Sequence, residues 1–190
     1  MLRESKNPPM NLHIFGASGT GITTLGLALS RELNIPYFDS DDYFWAPSDP
    51  PFTIRRDPGE RNAAIRRDLD KEPGWILGGS IIHWGEEVFP NFDLIVFCRL
   101  PHDIRMARLK TRELSRYGDI IFTDPDRNKQ YNAFLAWAAD YDTDTGIASR
   151  TIGVHEQWLQ TQRCPILEIR EDLTTEQRLQ LIRHKMDAVL

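Results

Sequence analysis

Short apolar runs alternate with longer stretches of helical periodicity along the whole chain. The run at 12–15 (Leu-His-Ile-Phe) enters a glycine-rich turn at 16–21, after which Leu25, Leu29 and Leu33 recur at helical spacing. Strand, turn and helix are predicted in that order. Asn34 and Pro36 end the helix, Tyr37 and Phe38 predict a brief second strand, and an acidic and aromatic loop runs over 39–52. A helix over about 58–70 precedes a third short strand at 75–77, which ends at Gly78, Gly79 and Ser80. Residues 92–100 are almost continuously apolar, the pattern of a strand buried on both faces, and Pro101 stops them. Helices are predicted over about 102–117, 128–141 and 149–162, with a Gly/Asp/Pro-rich break at 118–125. A last strand at 165–169 leads to a helix at 175–188, capped by Thr174 or Thr175 with Glu176 in its first turn. Strands alternating with helices predict the α/β class, one domain over 10–190 built on a five-stranded parallel sheet, with ligands beyond the carboxyl ends of its strands.

Composition narrows the function classes. The 190 residues carry 23 Lys+Arg against 28 Asp+Glu, a net charge of −5, and neither that balance nor any basic aromatic motif offers a footprint for nucleic acid or an anionic membrane. Residues 1–9 hold charges and two prolines but no apolar run of signal or spanning length; they read as a disordered leader, and the protein as cytoplasmic. Cys98 and Cys164 stand far apart in apolar company and read as reduced core thiols. The five histidines, among them His13, His83 and His155, show no metal-site spacing and read as structural or surface residues.

The glycine turn carries the most specific chemistry. Gly16-Ala17-Ser18-Gly19-Thr20-Gly21-Ile22-Thr23, followed by Thr24, matches G-x-x-x-x-G-K-[ST] except that Ile22 replaces the lysine. Such glycines let backbone N–H groups turn around a phosphate at the positive end of the helix, and Thr23 falls where a hydroxyl would hold Mg²⁺. With glycine at about 7% of residues, the lysine-free pattern arises by chance in roughly one chain of this length in ten. Its place between an apolar strand and an amphipathic helix is what separates a phosphate cradle from a plain tight turn.

Two further clusters fit such a cradle. Asp39, Asp41 and Asp42 follow the second strand, where one carboxylate can orient or deprotonate an acceptor hydroxyl and another can serve a metal; the plainer reading is turn capping. Arg108, Arg112 and Arg116 recur every fourth residue, with Arg105 on the same side, and make one helix face basic, whether to grip phosphates or as a solvated face paired with Glu113. Arg55, Arg56, Arg61, Arg66 and Arg67 cluster within one helical segment, in part as plain surface residues, and Gly78, Gly79 and Ser80 either let a ligand approach the backbone or simply turn the chain at the strand end.

The stretch HIFGASGTGITTLGLALSRELNIPYFDSDDYFW resembles the opening of small P-loop kinases of the adenylate and shikimate kinase type. FDLIVFCRLPHDIRMARLKTR resembles their strand, proline and arginine-bearing helix, and DDYFWAP, WILGGS and FLAWAADYD are similar to segments of adenylate kinase-like topology modulation proteins. The resemblance covers most of 11–170. It implies a three-layer P-loop NTPase fold with a small helical lid within about 112–145, and phosphoryl transfer from ATP with Mg²⁺ to a nucleotide or small metabolite by a monomer or homodimer. It also implies that Gly16 to Thr24 and Arg108 hold the nucleotide, Thr23 and Asp41 the metal, Arg66, Gly79 and Ser80 the acceptor, and that Asp39, Asp41, Arg112 and Arg116 are catalytic. Ile22 departs from the pattern. It favours the alternative of a regulatory nucleotide-binding protein with slow or no transfer.

Overall fold

The computed structural model describes residues 9–49, 51–89 and 91–189. Its framework is a five-stranded, all-parallel sheet: β1 (Asn11–Gly16), β2 (Tyr37–Asp39), β3 (Trp75–Gly78), β4 (Leu94–Cys98) and β5 (Ile166–Ile169), in the order β2-β3-β1-β4-β5. Around it lie α1 (Ile22–Leu33), α2 (Ser40–Phe44), α3 (Pro58–Leu69), α4 (His102–Tyr117), α5 (Ile120–Thr123), α6 (Pro125–Thr143), α7 (Ile152–Thr161) and α8 (Thr175–Val189).

The alternation of side chains along β1 builds two cores. Leu12 and Ile14 join Leu25 and Leu29 of α1 and Leu179 and Ile182 of α8 on one face, while Phe15 joins Ile65 of α3 and Leu159 of α7 on the other. This three-layer α/β arrangement is the one that the sequence predicts. His13 lies in the second core, stacked on Phe15 and Phe92 with Nδ1 3.0 Å from the Leu77 carbonyl, and burial lowers its pKa to about 4. It is a neutral core residue. Both cysteines are free; Cys98 is buried, whereas Cys164 is only half-buried. Among the described residues no helix is long and apolar enough to cross a membrane.

Several boundaries differ from the predicted ones. The 39–52 loop contains the short helix α2, which Asp39 caps by accepting from the Asp41 N–H. The 118–125 break contains α5. The next helix begins three residues early, at Pro125, because Asp124 caps it and a proline fits the first helical position. The 149–162 helix begins only at Ile152, after its cap Thr151. For α8 the cap is Thr174, whose Oγ1 accepts from Gln177 N while Gln177 Oε1 accepts from Thr174 N, a reciprocal box. The predicted leader lies outside the described residues except for Pro9.

Candidate functional site

The loops after β1, β2 and β3 open at the same end of the sheet onto a cleft of about 1120 Å³. Its floor is the 16–21 turn. At Gly16 a Cβ would stand 2.1 Å from the Cys98 carbonyl, so only glycine lets β1 end against β4 there. Gly21 takes φ +84° as it leads into α1 and offers no side chain to cap it. Among the described residues, no side chain caps the N–H groups of this first turn, the backbone state that suits an anion. Thr20 turns inward, its hydroxyl on the Ala17 carbonyl at 2.8 Å. Gly16, Ala17, Ser18, Gly19, Ile22, Thr23 and Thr24 line the cleft with Gly21.

Asp39 is fixed at the head of this turn. Its Oδ2 accepts from the Thr23 and Tyr37 hydroxyls, both at 2.9 Å, and its Oδ1 from the Asp41 N–H at 3.1 Å. The resemblance pairs Thr23 with Asp41, but the hydroxyl turns to Asp39 instead, because Asp41 sits one residue into α2 with its side chain in the open cleft. Asp41 is solvent-exposed yet has protein on most sides; that partial desolvation, followed by the Asp39 charge, raises its pKa against the opposing pull of Arg150 and Arg112. Two hard oxygen ligands, Thr23 Oγ1 and Asp39 Oδ2, suit Mg²⁺ bound chiefly by phosphates and water. Among the described residues no cluster of three or more His, Cys, Asp or Glu offers a fuller metal cage.

Helix α4 packs against the turn at Gly19, and its Arg108, Arg112 and Arg116 all line the cleft. Arg108 reaches Asp172 at 2.6 Å, Arg112 reaches Glu113 at 3.0 Å, and Arg116 lies over the Phe52 ring at 5.3 Å. Arg105 does not continue this stripe. It is buried, donating to the Ser18 carbonyl at 3.2 Å and to the Ala138 carbonyl at 2.6 Å and pairing with Asp142, so it ties the glycine turn to α6.

The expectation that Arg66 grips an acceptor is not met by its position. Arg66 clasps Asp70 on the outer face of α3 with Nε 2.9 Å from both carboxylate oxygens, and it does not line the cleft. Five residues round a helix turn the side chain by roughly 140°, so with Arg61 facing inward Arg66 faces away. The arginines that do line this side are Arg55, Arg61 and Arg150, held against aromatic rings: Arg61 over Trp84 at 4.0 Å, Arg150 and Arg55 over Phe44 at 5.2 and 5.7 Å. The surrounding protein depresses the Arg150 pKa; Asp41 opposes that, and the charges of Arg61 and Arg55 add to it. Three guanidinium groups therefore gather here, with Asp41 facing Arg150 and Asp57 near Arg61. Gly79 and Ser80 also line the cleft. Ser80 Oγ lies 3.1 Å from His155 Nε2, whose Nδ1 is 3.0 Å from the Tyr141 hydroxyl; burial first, then the Arg150 charge, lowers the His155 pKa to about 3.

Sequence reasoning missed Arg150 and His155. Arg150 stands alone in the loop before α7 with no periodic partners, and only the Thr151 cap beside it hints that its backbone is fixed. His155 is an ordinary helical position until the fold brings it to Ser80.

No family model matches the chain. It is 39% identical over 169 residues, 89% of its length and 93% of the relative's, to the uncharacterized protein YqaC of Bacillus subtilis strain 168. The chain belongs to the YqaC family. Beyond YqaC, it is 29% identical to the shikimate kinase of Burkholderia thailandensis over 61% of this chain and 70% of that one. The deoxyadenosine kinase structure from M. mycoides, described with dCMP and dCDP bound, covers 95% of this chain and 100% of its own at a TM-score of 0.52 and 14% identity. The fold of this YqaC relative is that of the P-loop kinases.

Proposed function

We propose that the protein is a phosphotransferase that moves a phosphoryl group from a nucleoside triphosphate to a hydroxyl of a small anionic acceptor. The observation that carries this reading is the two-sided cleft. A phosphate-type backbone turn faces the α4 arginines on one side, and Arg55, Arg61 and Arg150 converge beside Asp41 on the other. Three like charges gathered at a cleft wall favour an acceptor bearing carboxylate or phosphate groups, since guanidinium forks bind both.

In this reading the first turn of α1 and the 16–21 backbone hold the donor phosphates. Thr23 and Asp39 would hold Mg²⁺, which supplies charge neutralisation between the donor's phosphate oxygens when bound. Asp41, standing free in the cleft, orients the acceptor hydroxyl and takes its proton as the new P–O bond forms and the bond to the nucleoside diphosphate breaks. Arg112 and Arg116 lie within the segment proposed as a lid, about 112–145, and stabilise the transferred group, while Gly79 and Ser80 line the acceptor's approach. ATP as the donor fits a cytoplasmic enzyme. Ile22 favours a second reading, a regulatory protein that binds nucleotide without transfer, because a kinase lacking the loop lysine needs another cation.

The discriminating experiment is ADP release from Mg-ATP with three acceptor classes: hydroxy-carboxylates, nucleoside monophosphates and neutral sugars. Turnover with an anionic class, reduced about a hundredfold or more by Asp41→Asn, is expected. Tight nucleotide binding with no turnover in any class would favour the regulatory reading.

A further inference from the structure

We propose that Arg178 of α8 supplies, from beneath the glycine turn, the positive charge that the turn lacks at Ile22. This rests on the nucleotide-binding reading of the cleft. The reciprocal box between Thr174 and Gln177 fixes the start of α8, and Leu179, Ile182 and Met186 bury its inner face in the first core. Arg178, on the first turn, goes inward with them and is only 4% exposed. Its Nη1 donates to the Thr20 carbonyl at 2.6 Å, and its buried Nε has no partner among the described residues. Among the described residues no carboxylate lies within ion-pair distance of this guanidinium, although every other inward arginine of the cleft region has one nearby or lies over a ring. Ile22 packs on the apolar cluster that includes Leu179 and Ile182, so position 22 contributes packing where the loop pattern has its lysine.

A buried cation without a counter-ion is costly, and the charge that would offset it is an anion on the other side of the turn. The geometry suits that role. A trans peptide points its carbonyl and its N–H in opposite directions, so a guanidinium on Thr20 O polarises the Gly21 N–H on the far side. Gly21 lines the cleft, and a Cβ placed on it would stand 3.6 Å from Arg178 Nη1, so little but backbone separates the charge from the cradle. Arg178 is thus a positioning and charge-supplying residue that touches the donor only through the peptide it polarises. An arginine on the last helix and an isoleucine in the loop form one exchange.

The test is calorimetric titration of the full chain with Mg-ATP and, separately, adenosine. Wild type is compared with Arg178→Met, Arg178→Lys, Ile22→Lys and the double variant Arg178→Met/Ile22→Lys. Arg178→Met exchanges an uncompensated buried charge for an apolar side chain of similar length and is expected to fold. It should weaken ATP binding about tenfold to a hundredfold, as loss of a hydrogen bond to a charged group does, and leave adenosine binding unchanged. Arg178→Lys should retain most of the ATP affinity. Ile22→Lys should restore it in the Arg178→Met background by a larger factor than it adds to wild type. Equal ATP affinity in Arg178→Met and wild type overturns the inference, as do equal losses for ATP and adenosine, or failure of Arg178→Met to fold, which would make Arg178 a packing residue. Absence of ATP binding by wild type overturns the nucleotide reading itself, and this inference with it.

Discussion

Tyr37 connects a packing constraint to the site. A Cβ on Gly26 would come within 2.1 Å of its ring, and one on Gly78 within 2.1 Å of its hydroxyl, so the side chain threads between two glycines from different elements to reach Asp39. Gly78→Ala is expected to cost about 1–3 kcal/mol through overpacking, read as a lower midpoint in urea unfolding, and to displace Asp39 from Thr23. Tyr37→Phe keeps the ring and removes only one donor to Asp39, so its cost should be about 1 kcal/mol. Asp41 shows the opposite balance between stability and role. Because its folded pKa is raised, the folded state holds the proton more tightly than the unfolded one, and ionisation costs stability as pH rises from the unfolded value through the folded one. Asp41→Asn should therefore melt higher than wild type near neutral pH, with the gain vanishing as pH falls below the ordinary carboxylate range. A variant that melts lower at neutral pH would contradict this account of its surroundings. In wild type, transfer activity should rise with pH as Asp41 ionises.

Among the elements, the end of α6 decides where Arg150 stands. Asp140 is buried and accepts five hydrogen bonds, from the Thr143 and Thr145 hydroxyls and from the backbone N–H groups of Thr145, Ile147 and Ala148. The Thr145 hydroxyl and these N–H groups hold its carboxyl well below the usual range. A depressed folded pKa means stability that is present above the unfolded value and lost as pH falls through the folded one, so this loop should loosen only in strong acid. Asp140→Ala is expected to lower the melting temperature and raise the acceptor KM by releasing Arg150, with the KM for ATP little changed; equal rises in both would contradict that assignment. This element also shows what pattern reading can reach. Long helices such as α4 and α8 lie close to their predicted bounds because four or more turns of periodicity define them. The short helices α2 and α5 have too few residues to show a period, and proline at the start of α6 reads as a break until Asp124 is recognised as its cap.

At the scale of the molecule, a chain of net charge −5 concentrates arginines along both sides of one cleft, so its positive charge is gathered locally despite the acidic total. The wall built on the glycine turn was legible in sequence because that turn is contiguous and the α4 arginines repeat on one face. The wall of Arg55, Arg61 and Arg150 was not, since these come from three segments that only the parallel sheet and its crossovers bring together. Arg178 was hidden for the same reason, more than 150 residues from the turn it supports. All of these assignments depend on the turn binding phosphate despite Ile22. Calorimetric titration of wild type and Gly21→Asp with Mg-ATP tests that most directly, because the variant strains a left-handed position of the turn and sets a carboxylate beside Arg178, the charge behind the cradle. The account predicts saturable binding at one site in wild type and none in the variant. Absence of saturable binding by wild type up to millimolar ATP would contradict it.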